Sequence, residues 1–401
     1  MLECRHAVRR RRTLVAVLLA VHIGAAVFLM HTSTDDAVPQ PVLQGEGQEG
    51  LVGGTGRGMQ LLEGRRRSSD PLVTGDGFRS ACHLVFDDTL SLRAQKEFLA
   101  EILRAVREKQ DAPSPPSAVV VSVFVQTHFM DKFIECCLRR VPRADSEWQL
   151  LLVSHNSDVS APFNKRNLYN KKDDHSYTYQ LEWVLDNPRV RAWYSTNTAV
   201  EHPKLWPIPI GIENFYNAYG RHVDVYREAL QRVQQDKNQK LTEGKKLLFV
   251  AFGLSSYYKY RVEVLRHVKK AFAADASNVT FVHRPSKQKV VTASDVRDYM
   301  NTLREHRFVL APRGNGMDTH RLWEALYMGS VPIVQRSTMD TRLLSNLPVL
   351  LVDSFADVTP SLLMSPQALA LTASEHFTGV ASRLLSMGYW RRVITAGGKM
   401  Q

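Results

Sequence analysis

Residues 307–335 read RFVLAPRGNGMDTHRLWEALYMGSVPIVQ, and four local patterns follow one another there with only Met317 between them. RFVLAP (307–312) is a short apolar run of the kind that fills a strand buried on both faces. RGNG (313–316) is nearly bare of side chains and reads as the turn after it. DTHRLWEALYMG (318–329) sets Trp323, Leu326 and Tyr327 at helical spacing as a core face and stops at Gly329. SVPIVQ (330–335) returns as a strand. Strand, turn, helix and strand make a βαβ unit, whose strands run parallel.

The same alternation extends outward. Upstream, KKLLFVAF (245–252), NVTFVH (278–283) and RFVLAP read as strands, with helices over 258–273 and 294–306, the latter with Ser294 as its expected cap. LPVLLVDS (347–354) is a further strand, and 374–390 suits a closing helix. An earlier run repeats the theme: a helix over 90–109, AVVVSVFVQT (118–127), a helix over 130–141, WQLLLVSHNSD (148–158), VRAWYSTN (190–197) and an extended, Pro- and Gly-broken edge segment at 204–214. A charged helix at 223–240 joins the runs. The expected fold is α/β: two doubly wound Rossmann-like domains facing a cleft, with ligands at the carboxyl ends of the strands.

The chain has 401 residues and a net charge of +12, 44% hydrophobic and 23% charged, which are globular values. Its basicity is uneven and lacks a basic-aromatic stripe, so nucleic acid is not an expected partner. Arg9 to Arg12 precede TLVAVLLAVHIGAAVFLM (13–30), an uncharged stretch long enough to cross a bilayer. Charge bias then places 1–12 in the cytosol and the rest in the lumen. A cleaved signal peptide is the rival reading. The expected order is cytosolic tail (1–12), transmembrane signal-anchor (13–30), stem (31–89), N-terminal α/β domain (90–235), C-terminal α/β domain (245–375), and a C-terminal helix and tail (376–401). Either Cys82 bridges to Cys136 or Cys137, or all three are buried hydrophobes; no metal-ligand spacing occurs. Asn278-Val279-Thr280 is an N-glycosylation sequon.

The RGNG turn sits where a helix N-terminus offers unpaired amides and partial positive charge to an anion. Gly314 and Gly316 admit a ligand close to the backbone, Asn315 tolerates the left-handed region, and Arg313 and Arg321 add bidentate charge suited to phosphate. Asp318 or Thr319 is the expected cap, and His320 is either a contact or a surface residue. Glu324, one turn on, can accept two hydroxyl hydrogen bonds, as a ribose diol offers. The spacing matches neither the P-loop nor the dinucleotide GxGxxG.

LAPRGNGMDTHRLWEALYMGSVPIV (310–334) resembles the donor-site signature of the exostosin-like glycosyltransferases, a group that includes relatives of the ribitol-phosphate xylosyltransferase. LVSHNSD (152–158), WYSTN (193–197), KLWPIPIGIEN (204–214) and FGLSSYYKYR (252–261) support it, so the likeness spans roughly 150–375. It implies a GT-B-type fold and an inverting, metal-independent transfer from a nucleotide sugar, UDP-linked by expectation, to a glycan or glycoprotein hydroxyl. No cofactor is implied, because the nucleotide sugar is a substrate. Glu324 would hold the ribose; Arg261, Arg313, Arg321 and the amides of Gly314 to Gly316 would hold the diphosphate. The chain has no Asp-x-Asp motif, so arginine charge would replace a metal. Location in the Golgi membrane, bilayer contact through 13–30, and association with itself or other transferases are further expectations.

Transfer needs a base for the acceptor hydroxyl. Asp158 and Glu213 are the candidates, with Glu201 behind them, and His155 and Asn156 lie beside Asp158. Asp158 and Glu213 equally suit turn capping. Two other functions compete: a non-catalytic relative that binds a sugar nucleotide or glycan as the partner of another transferase, and a secreted sugar-nucleotide hydrolase.

Overall fold

The structure is a computed structural model that describes residues 69–113, 118–141, 148–162, 175–235, 244–283, 290–336 and 341–396. The expected tail, membrane segment and most of the stem lie outside these residues. Among the described residues no helix is long and apolar enough to cross a membrane. Residues 57–401 form one compact unit, and 1–56, the other, lie outside the described residues.

The first half opens with α1 (Gly75–Ala81), β1 (Leu84–Phe86) and α2 (Leu92–Gln110). Ser91 caps α2 by accepting from the Ala94 amide, and Phe98, Ile102 and Val106 line its buried face at steps of four. Leu92 and Leu103, apolar by sequence, face solvent instead. Then follow β2 (Val119–Gln126), α3 (Met130–Cys136), β3 (Trp148–His155), α4 (His175–Gln180), β4 (Val190–Ser195), β5 (Leu205–Pro207) and α5 (Val223–Gln235). Five strands pair in the order β1-β2-β3-β4-β5, all parallel. The Pro-containing β5 takes the edge, as expected.

The stem is corrected at its C-terminal end: residues 74–86 are folded, and β1 pairs with β2 from Leu84↔Val123 to Phe86↔Val125. The proposed bridge is not formed. Cys82 packs in the core on one face of the first sheet with Phe124 and Leu151, whereas Cys136 and Cys137 pack with Val123 and Leu152 on the other. The sheet itself separates them.

The second half contains β6 (Lys246–Phe252), α6 (Tyr258–Ala271), β7 (Val279–His283), α7 (Ala293–Arg304), β8 (His306–Leu310), α8 (His320–Tyr327), β9 (Val331–Gln335) and β10 (Leu350–Val352). The order is β10-β9-β8-β6-β7, again all parallel. α7 is capped by Thr292 rather than Ser294, through a capping box with Asp295. α8 ends in a Schellman turn: Gly329 takes φ +67, its amide donates to Leu326 O (3.2 Å), and the Ser330 amide donates to Ala325 O (3.0 Å). Asn278 is exposed in the 3-10 turn ahead of β7.

The expected closing helix is two helices, α11 (Gly379–Leu384) and α12 (Met387–Thr395), after α9 (Pro360–Leu363) and α10 (Pro366–Ala370). α12 returns to α1: the Met387 amide donates to Pro71 O (2.9 Å), Trp390 stacks near Phe78, and Arg391 pairs with Asp70 (2.8 Å). α5 leaves the first half and packs on α7. One core cluster therefore holds Phe124 and Val153 of the first sheet together with Phe249 and Trp323 of the second half.

Candidate active site

The chain leaves β6 to build β7 on one side and then crosses to β8 on the other. This is a topological switch point, where the loops beyond two adjacent strands diverge and leave a crevice. The loop after β6 (253–257) and the RGNG loop after β8 flank it.

Arginine binds the two loops together. Arg261, in the first turn of α6, is buried; its Nε donates to Arg313 O (2.9 Å) and its Nη1 to Gly253 O (2.7 Å). Arg313 lies over the Tyr257 ring (4.8 Å to the centroid) and donates to Asn315 O (3.1 Å). Arg261 and Arg321 both lie over Phe252, at 5.7 and 5.9 Å. Burial first, and then the nearby Arg321 charge, bring Arg261 down to about 10, so it remains protonated at neutral pH. Three permanent cations gathered at one switch point are suited to attract an anion.

The two glycines are required by space. A Cβ on Gly314 would lie 3.1 Å from Arg261 Nη2, and one on Gly316 would lie 3.2 Å from both Asp158 Oδ1 and Asn197 Oδ1. Neither they nor Asn315 takes a positive φ, which corrects the left-handed expectation for Asn315. The amide cradle is also corrected in part: the Gly314 amide donates to Gly316 O (3.1 Å), inside the loop.

Asp318, Thr319 and His320 do other work than the expected donor contact or cap. Asp318 is 4% exposed; it accepts from the Ile210 amide (2.8 Å), from the Thr319 amide (2.7 Å) and from Trp323 Nε1 (2.9 Å). Burial, opposed by these bonds, raises its carboxyl to about 6. The Asp318 amide donates to Asn197 Oδ1 (2.8 Å), and His320 Nδ1 bonds Gly211 O (2.8 Å). Thr319 holds the cap position of α8 without a side-chain capping bond. These residues fasten the RGNG loop to the first half.

Glu324 also departs from expectation. It is 5% exposed, and its two oxygens accept from Tyr226 Oη of α5 (3.0 Å) and Tyr299 Oη of α7 (2.9 Å). Burial and the adjacent Glu324 keep Tyr226 far above its ordinary range and hence a donor. The carboxylate expected on a ribose is held between two phenols. Glu213 accepts from the Tyr219 amide (3.1 Å) and so caps a turn. Asp158 is exposed and reaches the RGNG loop at Gly316, which brings it to the arginine crevice. His155 is buried beneath it, bonded to Pro209 O (3.2 Å), and burial lowers it to about 4. Asn156 takes φ +59 in the turn between them.

Asn197, Tyr226, Tyr257 and Tyr299 escaped the sequence reading. Asn197 lay inside the quoted WYSTN and Tyr257 inside FGLSSYYKYR, so both were within reach; nothing local distinguished Tyr226 or Tyr299. A groove of about 860 Å³ lined by Pro71, Leu230, Tyr327, Phe377 and Leu385 contains none of the expected site residues.

Residues 231–351 match the family model described as the RXYLT1 C-terminal domain. No curated protein matches the chain in sequence. Among solved structures, an α,α-trehalose-phosphate synthase (UDP-forming) from Burkholderia vietnamiensis is 14% identical over 76% of this chain and 74% of its own, with a TM-score of 0.40. An E. coli trehalose-6-phosphate structure bound with UDP-2-fluoro glucose is 12% identical over 76% of both chains, with a TM-score of 0.42. Likenesses this loose add nothing to the family match and the site geometry. Residues 231–351, which carry Arg261, the RGNG loop, Arg321 and Glu324, are thus similar to the RXYLT1 C-terminal domain, in line with the resemblance read from the sequence.

Proposed function

We propose that the protein is an inverting, metal-independent glycosyltransferase of GT-B type that moves a sugar from a UDP-linked donor to a hydroxyl of a glycan or glycoconjugate. The observation that carries this reading is the meeting of Arg261, Arg313 and Arg321 around the RGNG loop, with Asp158 reaching the same loop from the first half. In the reaction, Asp158 takes the acceptor hydroxyl proton as the acceptor oxygen bonds to the sugar's anomeric carbon. The bond from that carbon to the diphosphate breaks, and the departing diphosphate's charge falls to the arginines. Glu213, already committed to a turn, is the less suited candidate.

The cellular setting is proposed with it. Residues 13–30 anchor the chain as a single-pass type II protein of the Golgi membrane, and the lumenal part carries a glycan at the exposed Asn278.

Calorimetry with UDP tests the site. Arg321→Ala should weaken UDP binding by about tenfold or more, a charge-assisted contact of roughly 1.5–3 kcal/mol, with the urea midpoint unchanged. Transfer from a nucleotide-sugar panel should survive excess chelator. Unaltered UDP affinity in the variant, or activity abolished by the chelator and restored by a divalent ion, would overturn the reading.

A further inference from the structure

We propose that the turn after β5 presents an acceptor platform, with the ring of Tyr216, supported by Phe215, stacking on the apolar face of a neutral sugar residue. This rests on the glycosyltransferase reading and names the acceptor class for it.

Tyr216 is 65% exposed and Phe215 39% exposed, adjacent aromatics on one turn. Paired exposed rings on a loop at the ligand-binding end of a sheet mark a contact surface more than a packing accident. Tyr216 is not a loose side chain. Its hydroxyl accepts from Asn214 Nδ2 (3.1 Å). The tip is fastened and the ring meets solvent, so little rotamer freedom is lost when a ligand settles on it. Phe215 is set by its own amide, which donates to Asp76 Oδ2 (3.0 Å).

Asn214 makes the platform continuous with the candidate active site. It is buried, and its Nδ2 also donates to Asn156 Oδ1 (2.8 Å), two residues before Asp158, while its Oδ1 accepts from the Asp76 amide (2.9 Å). One side chain thus fixes the aromatic turn, α1 and the loop that carries the candidate base. The charge of the surface selects among acceptors. Asp76 and Asp88 both act on the Tyr216 hydroxyl, and the nearby cation, Arg79, is buried in an ion pair with Asp87 at 2.7 Å. Such a field favours the hydroxyl donors of a neutral sugar and disfavours phosphate, sulfate or uronate.

The test uses the full chain on an array of immobilised neutral and anionic oligosaccharides, with UDP affinity measured in parallel. Wild type should bind neutral oligosaccharides. Tyr216→Ala should weaken that binding by about tenfold or more, whereas Tyr216→Phe, which keeps the ring, should stay within about threefold. UDP affinity should be the same in all three proteins, which also certifies their folding. Preference for anionic glycans, binding to none, or binding retained by Tyr216→Ala overturns the proposal. Failure of wild type to bind UDP strikes the donor-site reading instead.

Discussion

Glu324 carries a carboxylate into a layer that water does not reach, and two tyrosine hydroxyls meet it there. Tyr226 and Tyr299 arrive on different helices, so the three side chains join α5, α7 and α8 at one point. Truncation removes the carboxylate that both buried phenols donate to, each bond about 1–3 kcal/mol. Glu324→Ala should therefore lower the unfolding free energy by roughly 2–5 kcal/mol in urea titrations. Tyr226→Phe and Tyr299→Phe should couple to it non-additively in a double-mutant cycle. An unchanged urea midpoint with lost UDP affinity would return Glu324 to the ribose role its position in the motif suggests. Sequence context could not separate these roles, because the deciding partners stand 98 and 25 residues away.

The strands that read clearly from sequence are those with long β-branched or aromatic runs. β2, with VVVSVFVQ, is the clearest, since an uninterrupted apolar run fits a central strand covered on both faces. β1 did not read, because LVF is three residues long and follows a glycine- and arginine-rich stretch. The break between α11 and α12 was equally illegible: Leu385 and Ser386 interrupt a pattern whose apolar spacing continues through them. α12 matters beyond its length. Met387, Trp390 and Ile394 are buried, and Trp390 packs by Phe78 while its Nε1 donates to Leu384 O (2.8 Å). Trp390→Ala should reduce stability by about 3–5 kcal/mol through lost contact and the cavity left behind. Urea unfolding followed by far-UV circular dichroism checks it; a loss under about 1 kcal/mol would show α12 to be an appendage.

The two-sheet architecture was legible from alternation alone, whereas the way the halves are fastened was not, since its bonds join residues more than a hundred positions apart. Asp318, Asn197 and His320 make that joint, and Asp318 gives it a pH signature. Its folded-state carboxyl sits at about 6 against an ordinary 3.8. The folded protein therefore holds this proton more tightly than the unfolded chain between those values. Asp318's contribution to stability is complete below about pH 4 and is lost as the pH rises through 6, by about 3 kcal/mol over the window. His155 acts oppositely. Burial lowers it to about 4 from 6.5, so its contribution is present above 6.5 and is lost as the pH falls toward 4. In the wild type the two trends partly cancel. Asp318→Asn removes one and leaves the histidine, so its stability should climb more steeply than that of the wild type between pH 4 and 6. Urea titrations of both proteins at pH 4.5, 5.5 and 6.5 read this as a difference in slope, independent of the bond to Ile210 that the asparagine also weakens. Parallel pH profiles would mean that Asp318 is already ionised throughout, with its three donors outweighing burial.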